Sequence, residues 1–134
     1  MTHPPAYELR LPILWGDMDA LGHLNNTVYF RYMEQARIGW FEAVVDPEAQ
    51  WKTLGMVIAS TSCEFRRAIV YPGTVVIRLF LDRPGGASLG TRYEIWREGD
   101  QAPSALGQAM IVFTDPATQK PIRIPQALRE KISQ

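Results

Sequence analysis

The sequence predicts an α+β fold in which a five-stranded antiparallel sheet wraps around one long central helix. Three observations support this: an apolar helical stripe between Leu24 and Val44, four alternating segments after Gly55 separated by short turns, and one short strand before the helix. A helix and a sheet that each carry one apolar face can bury those faces against each other. With no long linker in the chain, residues 1–134 are expected to form a single domain.

The first predicted elements are a short strand and the long helix. Residues 7–14 alternate apolar and polar side chains, and Pro12, which cannot donate a ladder hydrogen bond, indicates an edge strand. The helix should begin near Asn25 or Asn26, whose side chains can accept from first-turn amides, and end at Asp46, which precedes a proline. Its buried stripe is predicted to contain Leu24, Val28, Met33, Ala36, Trp40 and Val44.

Four further strands follow with a side-chain period of two, and short turns allow antiparallel pairing. In the first of them, alternation predicts two sets of residues on opposite faces. One face should carry Val57, Ala59, Thr61, Cys63 and Phe65, and the other Ser60, Ser62, Glu64 and Arg66. The other strands are expected at 75–81, 89–95 and 105–114, with a final helical turn within 125–134.

Composition excludes several functional classes. The 14 basic and 14 acidic residues give no net charge, unlike the basic excess of a nucleic-acid-binding protein. Cys63 is the single cysteine, and His3 is the only histidine besides His23, so neither a disulfide nor a metal site is expected. The sequence lacks an apolar run of about 18 residues and a signal-peptide pattern, which predicts no membrane span and a cytoplasmic location.

Residues 15–37, with the sequence WGDMDALGHLNNTVYFRYMEQAR, place two acids and a histidine immediately before the long helix. The free amides and the dipole of a helix N-terminus can polarise a carbonyl and stabilise negative charge on its oxygen. A carboxylate at this point, such as Asp17, can attack the carbonyl carbon or activate a water molecule. The pattern is compatible with acyl transfer, although on these residues alone an aspartate that only caps the helix is the favoured interpretation.

The pattern D-x-D-x-x-G-H-x-N-N-x-x-Y from Asp17 to Tyr29, followed by E-x-A-R from Glu34 to Arg37, resembles the 4-hydroxybenzoyl-CoA thioesterase family of hotdog-fold proteins. The segment 65–73 also resembles the second-strand motif and turn of that family. The resemblance implies a hotdog fold and hydrolysis of an acyl-CoA to the free acid and CoA. No cofactor is expected, because CoA is part of the substrate.

The resemblance also implies roles for residues at the helix start. Asp17 would be the nucleophile or general base, and the amide of Leu24 or Asn25 would polarise the thioester carbonyl. Asn26 stands where some close relatives carry a histidine; it can orient a group but cannot take up a proton. Asp19 is expected to stabilise the loop.

Residues of the helix and its start are candidate substrate contacts. His23 either contacts the substrate as a general acid or binding group, or bonds the main chain of the loop. Tyr29 either lines the acyl pocket or packs in the core. Glu34 and Arg37, three residues apart on the helix, can pair as a structural support.

The first long strand supplies the remaining candidate contacts. Ser60 and Ser62 are expected to line the site from a partner subunit. Arg66 and Arg67 would hold the CoA phosphates by charge-assisted hydrogen bonds, or else form a solvated strand end.

The two free edges of such a sheet favour pairing with a second copy. The resembled family joins protomers edge to edge, which implies a homodimer as the minimal unit and a homotetramer as the expected assembly. The expected ligand is acyl-CoA, with neither nucleic acid nor membrane as a partner. Two alternatives stay open: an acyl-ACP thioesterase, and a non-catalytic acyl-CoA-binding hotdog protein. Aromatic, short-chain and medium-chain acyl groups all fit the sequence.

Overall fold

The computed structural model describes residues 3–133, so Met1, Thr2 and Gln134 of the predicted domain lie outside the described residues. The elements follow the predicted order. They are β1 (Tyr7–Pro12), a 3₁₀ turn (Trp15–Asp17), α1 (Asn26–Val44), β2 (Gly55–Phe65), β3 (Thr74–Leu81), β4 (Ser88–Arg97), β5 (Ala105–Thr114) and α2 (Gln126–Ile132). The final helical turn predicted near the C-terminus is α2.

The strands of residues 3–133 form one antiparallel sheet in the order β1-β3-β4-β5-β2. This confirms the predicted five-stranded antiparallel sheet and the position of β1, which contains Pro12, at an edge. The other edge is β2, so α1 connects the two edge strands. The loop between β1 and α1, which carries the acidic motif, therefore begins at one edge of the sheet.

Helix α1 starts where its sequence predicts. Asn25 is the N-cap, and its side chain accepts a hydrogen bond from the amide of Thr27 at 3.0 Å. A broad face of α1 is buried: Val28, Tyr29, Tyr32, Met33, Ala36, Arg37, Trp40 and Phe41. Gly107 of β5 lets the helix approach the sheet, because a Cβ there would lie 2.6 Å from the sulfur of Met33. The face of the sheet that carries Gly107 is called the inner face below.

A β-bulge in β2 contradicts the predicted alternation of that strand. The pairing with β5 shifts between Ile58 and Ser60, which leaves Ala59 without an opposite residue. After the bulge, Thr61 lies on the inner face, whereas Val57, before it, lies on the outer face. The prediction that Val57 shares a face with Thr61, Cys63 and Phe65 is therefore wrong, because one extra residue reverses a period of two.

Within residues 3–133, no helix combines the length and the apolar character that a membrane crossing requires.

Candidate active site

The loop between the 3₁₀ turn and α1 is organised by Asp19. Its carboxylate Oδ1 accepts hydrogen bonds from the amides of Leu21 at 2.9 Å and His23 at 3.1 Å. The amide of Asp19 donates in turn to the carbonyl of His23 at 2.7 Å, and Gly22 supplies the positive φ of 81° that the turn requires. This confirms Asp19 as the residue that stabilises the loop.

The two amides predicted to polarise the thioester carbonyl already donate hydrogen bonds to main-chain carbonyls. The amide of Leu24 donates to the carbonyl of Ile69 at 2.8 Å, and that of Asn25 donates to the carbonyl of Asp17 at 2.9 Å. The assignment of this role to Leu24 or Asn25 is therefore wrong in this structure. The next amide, that of Asn26, has no acceptor among residues 3–133.

The side chain of Asp17 points into a cavity of about 340 Å³ on the β1 side of the helix start. Its Oδ1 accepts a hydrogen bond from the guanidinium of Arg31 at 2.8 Å. The carboxylate side chain is 17% exposed, and that of Arg31 is 50% exposed. The other residues that line this cavity are Leu11, Pro12, Leu14, Tyr32 and Gln35. The contact with Arg31 was missed at the level of sequence, because the two residues are 14 positions apart along the chain.

Tyr32 places a polar atom beside this carboxylate. The residue is only 3% exposed, and its hydroxyl has no hydrogen-bond partner among the described residues. Burial, with a smaller contribution from the negative charge of Asp17, raises the pKa of the hydroxyl to about 12, and the cation of Arg31 acts in the opposite direction. Tyr32 therefore stays neutral and keeps its proton near neutral pH.

A second cavity, of about 320 Å³, lies on the other side of the helix start. It brings together five of the predicted contacts but not the Asp17 side chain: His23, Asn26, Tyr29, Arg66 and Arg67. His23 is exposed, and its ring makes no hydrogen bond within residues 3–133. The alternative in which the His23 ring bonds the loop main chain is therefore not found here.

Tyr29 forms a wall of this cavity and also packs in the core, as one of its two interpretations expects; that it lines the acyl pocket stays a prediction. It is 3% exposed and packs edge-to-face on Phe65, with 4.9 Å between the ring centroids. Burial raises the pKa of its hydroxyl.

The two arginines of this cavity are held by their main chain, while their side chains extend into solvent. Both amides donate to the carbonyl of Ser104, Arg66 at 2.9 Å and Arg67 at 3.0 Å. The Arg66 side chain pairs with Glu64 at 3.3 Å and the Arg67 side chain with Asp100 at 3.7 Å. Both side chains are more than half exposed, so these ion pairs are weak and the guanidinium groups can be drawn to a phosphate.

Ser60 and Ser62 line neither of these two cavities. They lie opposite Met110 and Gln108 of β5, which alternate with the inner-face residue Gly107, so both serines lie on the outer face. That Ser60 and Ser62 line the site from a partner subunit stays a prediction.

Arg37 is buried, with 7% of the residue exposed, whereas Glu34 is exposed. No ion pair joins them in the part of the chain that the structure describes. The predicted pairing is therefore wrong: Arg37 is packed in the buried face of α1, while Glu34 is exposed to solvent.

In residues 3–133, no group of three or more His, Cys, Asp and Glu side chains is arranged to hold a metal ion. The polar groups that line the two cavities are instead two carboxylates, three arginines, two phenols, an imidazole and the side-chain amides of Asn26 and Gln35.

Comparison with known proteins identifies the family. The model of the thioesterase-like superfamily matches residues 13–132. The chain is 29% identical over 122 residues to the long-chain acyl-CoA thioesterase FadM of Escherichia coli, which covers 87% of this chain and 89% of FadM.

Solved structures agree with this match. The PA2801 protein of Pseudomonas aeruginosa, a candidate thioesterase, superposes with a TM-score of 0.86 at 32% identity, over 96% of this chain and 98% of that one. A thioesterase of Thermus thermophilus, in complex with coenzyme A and zinc, gives a TM-score of 0.84 at 26% identity, over 98% and 94%. The narrower 4-hydroxybenzoyl-CoA thioesterase family stays a prediction. The chain belongs to the thioesterase-like superfamily of hotdog-fold proteins and is a thioester hydrolase.

Proposed function

We propose that this chain hydrolyses an acyl-CoA to the free acid and CoA, with Asp17 as the attacking carboxylate or the general base. One observation carries the proposal: Asp17 lies against the start of α1, where its carbonyl accepts from Asn25 at 2.9 Å, and its carboxylate opens into a cavity. Leu11, Pro12 and Leu14 give that cavity an apolar wall suited to an acyl group.

The reaction uses the charge at the helix start. The amide of Asn26 donates to the thioester carbonyl, because it is without an acceptor among residues 3–133 and lies at the positive end of the helix dipole. Asp17 attacks the carbonyl carbon, or removes a proton from a water molecule that does so. When water attacks, the C–S bond breaks, the proton taken from water passes to the CoA sulfur, and the acyl group leaves as the acid. When Asp17 attacks, C–S cleavage leaves the acyl group on Asp17 as a mixed anhydride and the CoA sulfur takes a proton; a water molecule then hydrolyses the anhydride to the acid and restores the carboxylate. The side chain of Asn26 orients a group and transfers no proton.

The carrier is proposed to be CoA. Arg66 and Arg67, whose side chains are exposed beside the second cavity, would bind its phosphates. The E. coli relative FadM is named for acyl-CoA, and the T. thermophilus relative binds coenzyme A, which supports CoA over an acyl carrier protein. The proposed reaction needs no cofactor and no metal ion.

We also propose that two chains pair through β2. This edge strand has 11 residues, and its apolar side chains Val57 and Phe65 are 51% and 47% exposed. A long exposed edge with free main-chain groups is stable when a second strand covers it. A homodimer is therefore the proposed minimal unit, while the homotetramer and the cytoplasmic location stay predictions.

The test is a thiol-release assay on acyl-CoAs with short, medium, long and aromatic acyl groups. Each acyl-CoA is compared with the thioester of the same acyl group on an acyl carrier protein. Thiol release that is faster from the CoA thioester supports the proposal, and faster release from the carrier protein supports an acyl-ACP thioesterase.

Asp17→Asn should lose activity while it stays folded, whereas the control Asp115→Asn, in the turn after β5, should keep its activity. Full activity of Asp17→Asn would remove Asp17 from the mechanism. Tight binding without thiol release in the unaltered chain would favour the binding protein.

A further inference from the structure

The carboxylate of Asp17 is held at only one of its oxygen atoms. Oδ1 accepts from Arg31 at 2.8 Å, whereas no side chain or amide in residues 3–133 donates to Oδ2. A carboxylate that must attack or activate water works best in a fixed orientation, because small misplacements of reacting atoms slow a reaction strongly. The ion pair with the half-exposed Arg31 holds Oδ1 alone, so no second contact fixes the plane of the carboxylate.

Tyr32, next to Arg31 on α1, carries a donor that complements this free acceptor. Its hydroxyl is buried, lines the same cavity as Asp17, and has no hydrogen-bond partner among the described residues. It lies near enough to the carboxylate for the charge of Asp17 to influence it, yet the two groups are not hydrogen bonded. A buried donor without an acceptor destabilises the folded state, so a hydrogen bond between the two would be favourable.

We propose that Arg31 and Tyr32 are positioning residues for the reaction: the guanidinium of Arg31 holds Oδ1 of Asp17, and the hydroxyl of Tyr32 donates to Oδ2 when the carboxylate turns into its reactive orientation. This inference rests on the proposed function of Asp17. With both donors engaged, Oδ2 keeps a lone pair for the water molecule or the carbonyl carbon. Burial keeps the hydroxyl of Tyr32 protonated, so it remains a donor at the pH of an assay.

The hydroxyl is tested by Tyr32→Phe, which removes only that oxygen. The matched control is Tyr7→Phe, because Tyr7 of β1 packs its ring against Gly39 of the same helix but lines neither cavity. Tyr32→Phe should lower kcat about tenfold, as expected for one lost hydrogen bond, and leave KM within about twofold. Its thermal midpoint should stay the same or rise, since the hydroxyl removed has no partner in the resting structure. An unchanged kcat, or a fall in kcat that comes with a lower midpoint and a raised KM, would overturn this role.

Arg31 is tested by Arg31→Ala, with Arg92→Ala as the control. Arg92 pairs with Asp82 on the outer face at 2.7 Å, so its loss removes a similar ion pair outside the site. Arg31→Ala should lower kcat about 100-fold at nearly constant KM. Millimolar guanidinium chloride, but not sodium chloride at the same concentration, should restore part of kcat, because the side chain is half exposed and its place is open to solvent. Absence of this rescue, or a kcat that rises in Arg31→Ala, would refute the positioning role.

Asp17→Asn, measured alongside, separates this inference from the proposed function. If Asp17→Asn is inactive while Tyr32→Phe and Arg31→Ala are fully active, the positioning roles fail and the function of Asp17 stands. If the unaltered chain releases no thiol, or Asp17→Asn is fully active, both fail together.

Discussion

Asp19 and Asp17 are two residues apart, yet the structure gives them different tasks, and substitution of Asp19 tests that difference. Oδ1 of Asp19 accepts two loop amides, those of Leu21 and His23, at 2.9 and 3.1 Å. Asp19→Ala removes both hydrogen bonds. Asp19→Asn keeps an oxygen acceptor in the same place and removes only the charge.

The expected loss in Asp19→Ala follows from those two bonds. Each exposed hydrogen bond contributes about 0.5–1 kcal/mol, so the free energy of unfolding should fall by about 1–2 kcal/mol. For a chain of this size, the thermal midpoint should fall by about 4–7 °C. Because the loop carries Asp17, kcat should also fall a few-fold.

Asp19→Asn should stay within about 0.5 kcal/mol of the unaltered chain and keep at least about half of kcat, because the amide oxygen still accepts. Thermal denaturation followed by circular dichroism, together with thiol release, measures both quantities on the same samples. If Asp19→Asn were as inactive as Asp17→Asn, the carboxylate of Asp19 would take part in the chemistry, and the assignment of roles to the two acids would be refuted.

Three further predictions concern the helix cap, the carrier and the cysteine. Asn25→Ala should lower the free energy of unfolding by about 1 kcal/mol, while Asn25→Ser, which retains an acceptor, should lower it less. Urea denaturation measures both changes. Equal stability of the two variants and the unaltered chain would exclude a stabilising role for the Asn25 cap. The double variant Arg66→Ala/Arg67→Ala should raise KM for an acyl-CoA about tenfold and leave KM for the acyl-pantetheine unchanged; equal changes would place the phosphates elsewhere. Burial raises the pKa of Cys63 to about 11, so iodoacetamide should alkylate the native chain at pH 8 at least about tenfold more slowly than the urea-unfolded chain. That native rate should increase as the pH approaches 11, because the thiolate reacts; equal rates for native and unfolded chains at pH 8 would contradict the effect of burial.

Much of the fold follows from periodicity, which is a local property. The helix is predicted from a stripe with helical spacing, and its first turn from the two asparagines, of which Asn25 is the cap. The bulge at Ala59 could not be predicted, because a single unpaired residue in a polar, exposed strand leaves no local signal. Because of this one unpaired residue, Val57 lies on the outer face and not, as the alternation predicts, on the face of Thr61.

The site was predicted less completely, since its contacts join distant parts of the chain. The motif located Asp17 and the helix start. The amide of Leu24, however, donates to the carbonyl of Ile69, a residue that follows β2 and lies beside the helix start only in the folded chain. The partner of Asp17 is Arg31, on the side of α1 that faces away from the second cavity. Neither contact follows from spacing along the sequence.

The central claim is that the carboxylate of Asp17 carries out thioester hydrolysis. It is tested most directly by incubating acyl-CoA with Asp17→Asn and with the unaltered chain and quantifying the remaining thioester and the free CoA by mass spectrometry. We expect the unaltered chain to convert the thioester to CoA and acid, and Asp17→Asn to bind the same acyl-CoA with similar affinity but leave it intact. Conversion by Asp17→Asn at the rate of the unaltered chain would contradict the claim.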